Sequence, residues 1–225
     1  MTLLSIPVLL FAVVIHEVSH GWMAEKFGDP TARYSGRLTL NPLPHLDLFG
    51  SILLPAMLLL SRAPFLFGYA KPVPVNPYNL RNPKKDMIWI GFSGPAANLA
   101  TALCCGLLFR LLIHIKLPGF LTIFMGLLAI GVIINVVLAI FNLIPIPPLD
   151  GSKILMGFLP PEKEYQFRSL EQYGFLILLG LLFIGPMVGL NIFGWIIFIF
   201  GNPFCLLFTG YHLSQLSGIA AMLLS

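Results

Sequence analysis

Charge is what this 225-residue chain has least of: 10% of its residues are charged, while 57% are hydrophobic. Soluble domains carry about a quarter charged residues, and 22 charges cannot cover the surface of a water-soluble globule of this size. Long polar segments of mixed charge are missing too, which argues against an appended soluble module for regulation or peptide binding. Cysteine is scarce. Cys104, Cys105 and Cys205 all fall in apolar runs, where the residue packs as a small hydrophobe, and neighbours on a helix diverge by about 100°, a poor metal clamp. The basic leader and small-residue cleavage site of a signal peptide are absent as well, so the first apolar segment is expected to stay in the mature protein. The net charge of +4 is dispersed over short loops, where it reads as topology and headgroup contact, not as nucleic-acid binding.

What the chain has in quantity is apolar length. A helix needs roughly 20 apolar residues to cross about 30 Å of hydrocarbon. The pattern predicts an all-α polytopic membrane protein of about six spans, a single domain over residues 1–225. Full spans are expected at 3–27, 87–115 and 120–143. Residues 48–60 form a short or re-entrant segment, and two further spans are expected near 173–188 and 192–208. Residues 35–40 alternate as a short strand would, and the prolines at 72 and 74 allow residues 71–75 only an edge strand. A short helix is expected at 152–158 and a loop at 160–172, while the tail beyond 211 has no assigned place.

Polar residues deep in an apolar span signal function, and the first span contains four in a telling order within His16-Glu17-Val18-Ser19-His20, or H-E-x-x-H. On a helix, positions four apart are offset by about 40°, one turn above the other, so both imidazoles reach one metal ion. Glu17 lies about 100° from His16, near enough to act on a water there without being a ligand. With five His and five Glu in the chain, the pattern arises by chance in roughly 0.002 such sequences. The competing reading, two histidines merely bonded to neighbouring helices, suits a lone intramembrane histidine better than this cluster.

Catalytic zinc takes three protein ligands and keeps one position open. Candidates for the third are Asp47, Asp150 and His45. Asp150 ends the run Asn142-Leu143-Ile144-Pro145-Ile146-Pro147-Pro148-Leu149-Asp150-Gly151, where prolines impose irregular backbone and Gly151 permits a sharp turn. Such backbone is tolerated at membrane depth only where it lines a cavity or packs in protein. By spacing alone, Asp150 reads equally well as a ligand and as the N-cap of a following helix.

Together, His16-Glu17-Val18-Ser19-His20 and the Asn142 to Gly151 segment resemble the site-2 protease family of intramembrane zinc metalloproteases, in its compact prokaryotic branch. Gly36-Arg37-Leu38-Thr39-Leu40-Asn41-Pro42, His45-Leu46-Asp47-Leu48-Phe49-Gly50, Lys71 to Pro77 and Gly94-Pro95-Ala96-Ala97-Asn98 are similar to that branch as well, so the resemblance covers roughly residues 10–160. One departure is Leu48, where the pattern has proline. The resemblance implies a catalytic core over about 1–160 with accessory spans over about 172–210. It implies one zinc ion held by His16, His20 and Asp150, Glu17 as general base, and Asn142 and Asn98 near substrate, where each reads equally as an interhelical hydrogen-bond clasp. His45 reads either as orienting substrate or the metal-bound water, or as a satisfied loop histidine beside Asp47. The implied substrate is a membrane-spanning protein in the plasma membrane of a prokaryote, unwound to expose its carbonyls and paired against residues 38–40 or 73–75. A homo-oligomer or a regulatory membrane partner is compatible with this. The rival reading is a zinc-binding membrane protein without peptidase activity. A transporter would be expected to show an internal repeat, and an inactive scaffold to have lost Glu17.

Overall fold

The computed structural model describes residues 4–53, 56–57, 60, 69–115 and 119–224. Five helices among them are long and apolar enough to cross a membrane. The first, α1, runs over Ser5–Lys26, about 33 Å at 1.5 Å per residue. A connection containing the short helix α2 (Thr31–Tyr34) leads to α3 (Pro83–Leu112). Then follow α4 (Gly119–Asn142), the short α5 (Asp150–Phe158), α6 (Pro161–Met187), α7 (Ile192–Thr209) and α8 (Leu213–Leu223).

The most deeply buried span is α4. Val132, Val136, Ala129 and Ile140 on it pack against Ala102 and Phe109 of α3, Cys205 and Phe208 of α7, and Leu216 and Ala220 of α8. Lipid is as apolar as the helices, so close packing in place of water exclusion must hold them together, and small residues let backbones approach. At Gly106 a Cβ would lie 2.7 Å from that of Phe208, so the α3–α7 crossing needs glycine there. The tail left unassigned by the sequence becomes α8, seated on α4.

Two local expectations change. Of the expected loop at 160–172, residues 161–172 are helical, forming the first half of α6. Pro161 sits at a favoured first-turn position, Glu162 and Glu164 complement the helix dipole, and Glu164 pairs with Arg168 one turn on. Lys84 at the start of α3 bonds both Glu164 and the Leu159 carbonyl, tying this polar end to the bundle. The second change is that no strand occurs among the described residues. Around 35–40 the backbone polar groups find other partners: Arg37 N–H donates to Ala32 O at 2.9 Å, the Arg37 guanidinium to Pro44 O, and His45 Nε2 to Thr39 O at 3.0 Å. With those groups satisfied, no ladder is required.

The expected re-entrant segment 48–60 lies partly outside the described residues. Its visible start, Leu48–Leu53, is a π-helical turn. It runs beside the returning chain, with Tyr69 N–H donating to Gly50 O at 3.0 Å and Lys71 N–H to His45 O at 2.9 Å.

Candidate active site

On α1, His16 and His20 stand one turn apart with ring centroids 4.6 Å from each other. Both face α3, where Gly94 leaves the space they occupy: a Cβ there would lie 2.5 Å from His20 Nε2 and 2.7 Å from His16 Cε1. The glycine of Gly94-Pro95-Ala96-Ala97-Asn98 thus makes room for two imidazoles. The third element is α5. Gly91 of α3 allows its first turn close, with the Asp150 carbonyl 3.2 Å from where a Cβ would stand. Gly151 is needed for a different reason from the expected sharp turn: a Cβ would collide with the Leu143 and Ile144 carbonyls.

Asp150 caps nothing. The residue before α5 is Leu149, without a side-chain cap, and Ser152 N–H goes to the Leu149 carbonyl. Asp150 Oδ2 lies 3.0 Å from both His16 Nε2 and His20 Nε2, which are themselves 3.0 Å apart. Its Oδ1 accepts from Lys153 Nζ at 2.8 Å. All three residues are buried.

Hydrogen bonds on the far side of each ring fix the tautomers. His20 Nδ1 is 2.7 Å from the Ile90 carbonyl, which can only accept, so Nδ1 carries the proton. His16 Nδ1 is 2.6 Å from Asn98 Oδ1. The Asn98 amide is oriented in turn, because its Nδ2 donates to Ala12 O at 3.0 Å and to Asn135 Oδ1 at 2.8 Å, while Asn135 Nδ2 donates to Gly131 O at 2.8 Å. In the neutral rings both Nε2 atoms then present lone pairs, aimed at each other and at a carboxylate oxygen. Three lone pairs converging in a buried site repel unless a cation lies among them. Tetrahedral zinc with bonds near 2.0 Å spreads its donors about 3.3 Å apart, so this triangle needs to open by only ~0.3 Å to accept it. Two imidazoles and one carboxylate suit zinc and leave a fourth position free. Among the described residues, this is the one cluster of His, Cys, Asp or Glu close enough to hold a metal.

Two cavities meet at Glu17 and His16. One, about 320 Å³, is the more polar of the two, with His20, Asp150 and Lys153 set among apolar residues such as Val75, Met87 and Ile90. The other, about 580 Å³, is walled by apolar groups such as Phe141, Leu138, Phe175 and Leu178. Asn142 reaches both, its Nδ2 held by the Leu138 carbonyl at 3.0 Å. Glu17 Oε2 accepts from Val73 N–H at 2.8 Å. Prolines 72 and 74 have no N–H and Val73 has given its own to Glu17, so residues 72–74 offer no free donor to an added strand.

The other residues expected near substrate lie elsewhere. Asn98 is wholly buried behind His16, and lines neither cavity. His45 is also wholly buried, bonded to Thr39 within its own loop. Asp47, an alternative third ligand, instead caps the π-helical turn, accepting from Gly50 N–H at 2.7 Å. Asn135 and Lys153 were not legible: one reads as a lone asparagine inside a span, the other as an ordinary interface lysine. An intramembrane asparagine is costly in lipid, and that was the available signal for Asn135.

The chain matches the model of peptidase family M50 over residues 4–185. It belongs to that family, the site-2 proteases. Among its relatives is a Bacillus subtilis protein named "Putative zinc metalloprotease YwhC", 38% identical over 183 residues, which cover 80% of this chain and 79% of the relative. A similarly named protein, Rip2 of Mycolicibacterium smegmatis, is 32% identical over 77% of this chain and 64% of its own length. Rip2 of Mycobacterium tuberculosis is 28% identical over 85% of this chain and 70% of its own. No solved structure matches. As a member of this family the chain is a multi-pass membrane enzyme, a zinc metalloprotease.

Proposed function

We propose that this chain hydrolyses peptide bonds inside membrane-spanning segments of substrate proteins, with His16, His20 and Asp150 holding one zinc ion and Glu17 serving as general base. The observation that carries this reading is the convergence of His16 Nε2, His20 Nε2 and Asp150 Oδ2 at 3.0 Å, beside a carboxylate that lines the cleft. Zinc supplies Lewis acidity there, bringing the pKa of water toward about 7 and drawing charge from the scissile carbonyl.

The chain's own residues do the rest. Glu17 takes a proton from the attacking water and returns it to the leaving amine. Val73 N–H holds Oε2, so the carboxylate is aimed before substrate arrives and Oε1 is left for water. Asn142, at the junction of both cavities, is placed to bond the backbone of an unwound substrate segment. The apolar cavity takes side chains from the membrane core, and the polar one admits water.

Residues 1–225 act as one membrane domain, with the catalytic core in about 1–160 and accessory spans in about 172–210. Bacterial relatives support the plasma membrane of a prokaryote as its location. Substrate selection falls to the bilayer core, the short loops, and a regulatory membrane partner or a second copy of the chain. The competing reading, a zinc protein without peptidase activity, predicts no cuts in wild type or in Glu17→Gln.

The test is incubation of purified protein with a panel of single-span substrates in detergent, with products mapped by mass spectrometry. Cuts inside the spanning segment should disappear in Glu17→Gln while its zinc content stays at one per chain. Cuts that persist in the variant would remove Glu17 from the chemistry.

A further inference from the structure

The Asp150 carboxylate is divided between two tasks. Oδ2 converges with the imidazoles, while Oδ1 meets the Lys153 ammonium at 2.8 Å. We infer that Lys153 is a positioning residue that keeps Asp150 a one-oxygen ligand, by holding the second carboxylate oxygen away from the metal. This rests on the reading that His16, His20 and Asp150 form the zinc site.

The geometry is built into α5. Asp150 and Lys153 are three residues apart in its first turns, so they share a face. Gly91 of α3 seats that face closely, with Lys153 Cβ 3.5 Å from where a glycine Cβ would be. An ordinary pair at this spacing on a helix surface leaves its carboxylate in water. Here the Asp150 side chain is 6% exposed and its partner lysine 39%, so the ammonium stands at the polar cavity wall with the carboxylate behind it.

A free carboxylate can give a metal both oxygens. With two imidazoles already present, a second oxygen from Asp150 would occupy the position that a catalytic zinc site keeps open for water or substrate. The lysine is a compact charge with three donors. One donor claims Oδ1, and a neutral hydrogen-bonding side chain would hold that oxygen less firmly.

Metal-stripped full-length protein reloaded with cobalt(II) reads this directly, since four-coordinate cobalt absorbs visible light several times more strongly than five- or six-coordinate cobalt. Wild type and Lys153→Arg should show the intense four-coordinate bands. In Lys153→Met the bands should weaken severalfold and shift as Oδ1 joins the metal. A Lys153→Met spectrum that superimposes on wild type overturns the inference. If that variant does not fold, X-ray absorption at the zinc edge of Lys153→Gln replaces it, with more oxygen neighbours expected than in wild type and an unchanged count overturning the inference. His20→Ala separates the two levels of the argument. Loss of the cobalt spectrum in His20→Ala, with no change in Lys153→Met, removes the lysine's role alone; an unchanged spectrum in His20→Ala removes the ligand assignment and the lysine's role with it.

Discussion

Replacing Asn98 with alanine separates a support for the metal site from a contact with substrate. The truncation deletes three hydrogen bonds in a fully buried setting: His16 Nδ1 at 2.6 Å, Ala12 O at 3.0 Å and Asn135 Oδ1 at 2.8 Å. In water-soluble proteins each group left unpaired costs about 1–3 kcal/mol. In membranes the average is nearer 0.6 kcal/mol, because the unfolded reference also finds partners. Three such bonds make about 2 kcal/mol of lost fold stability a reasonable expectation. The effect on metal is separate. His16 would lose the acceptor that fixes its tautomer and ring orientation, and losses of this kind weaken metal affinity by about 10–100-fold. Competition with a chelator in detergent measures that loss, and initial rates on a cleavable single-span substrate measure kcat and KM. The expected result is weaker zinc affinity, a lower thermal midpoint, and at saturating zinc a kcat reduced more than KM is raised. Zinc affinity within about twofold of wild type, accompanied by a large rise in KM, would refute this reasoning and make Asn98 a substrate contact after all.

Gly94→Ala should be more damaging to the metal than its size suggests. The new methyl would press on both imidazoles, and zinc affinity should fall by at least about tenfold although alanine favours the helix. Gly218→Ala, which meets nothing within 4 Å, is the matched control and should leave zinc content unchanged. Asp29 gives a pH dependence remote from the metal. Burial pushes its carboxyl up, but hydrogen bonds from the Thr31 and Asn79 side chains and from the Asn76 and Thr31 backbone N–H groups outweigh this and hold it below the ordinary value. A carboxyl lowered on folding contributes stability above its unfolded pKa of about 3.9 and loses it as pH falls through the lower folded value. Asp29→Asn should therefore melt about 2–4 °C below wild type at pH 7, with the gap closing only below about pH 4. A gap that stays constant down to pH 3 would remove Asp29 as its source.

The spans and the metal motif were legible for one physical reason: both repeat within a few residues. Helix α1 begins and ends within two residues of the predicted span, because apolar length alone decides what crosses a membrane. His16 and His20 could be paired from their spacing because a helix converts four residues into one turn. The first half of α6 was misread as loop because its polarity resembles a connection. Its helix depends on Glu164 bonding to both Arg168 and Lys84, and Lys84 lies 80 positions away.

The sequence by itself determined a polytopic membrane chain with an H-E-x-x-H helix and an aspartate at the end of a proline-rich break. It left Asp150 poised between ligand and cap, because both roles ask for the same residue at the same local position. Only the tertiary structure decided between them, by bringing α5 against α1 so that Oδ2 meets two imidazoles and Oδ1 meets Lys153. It also set Asn98 at the back of His16 and turned the His45 side chain onto the Thr39 carbonyl. Side-chain direction in these cases is set by contacts between segments as much as 134 residues apart. Local spacing has no means of expressing such contacts.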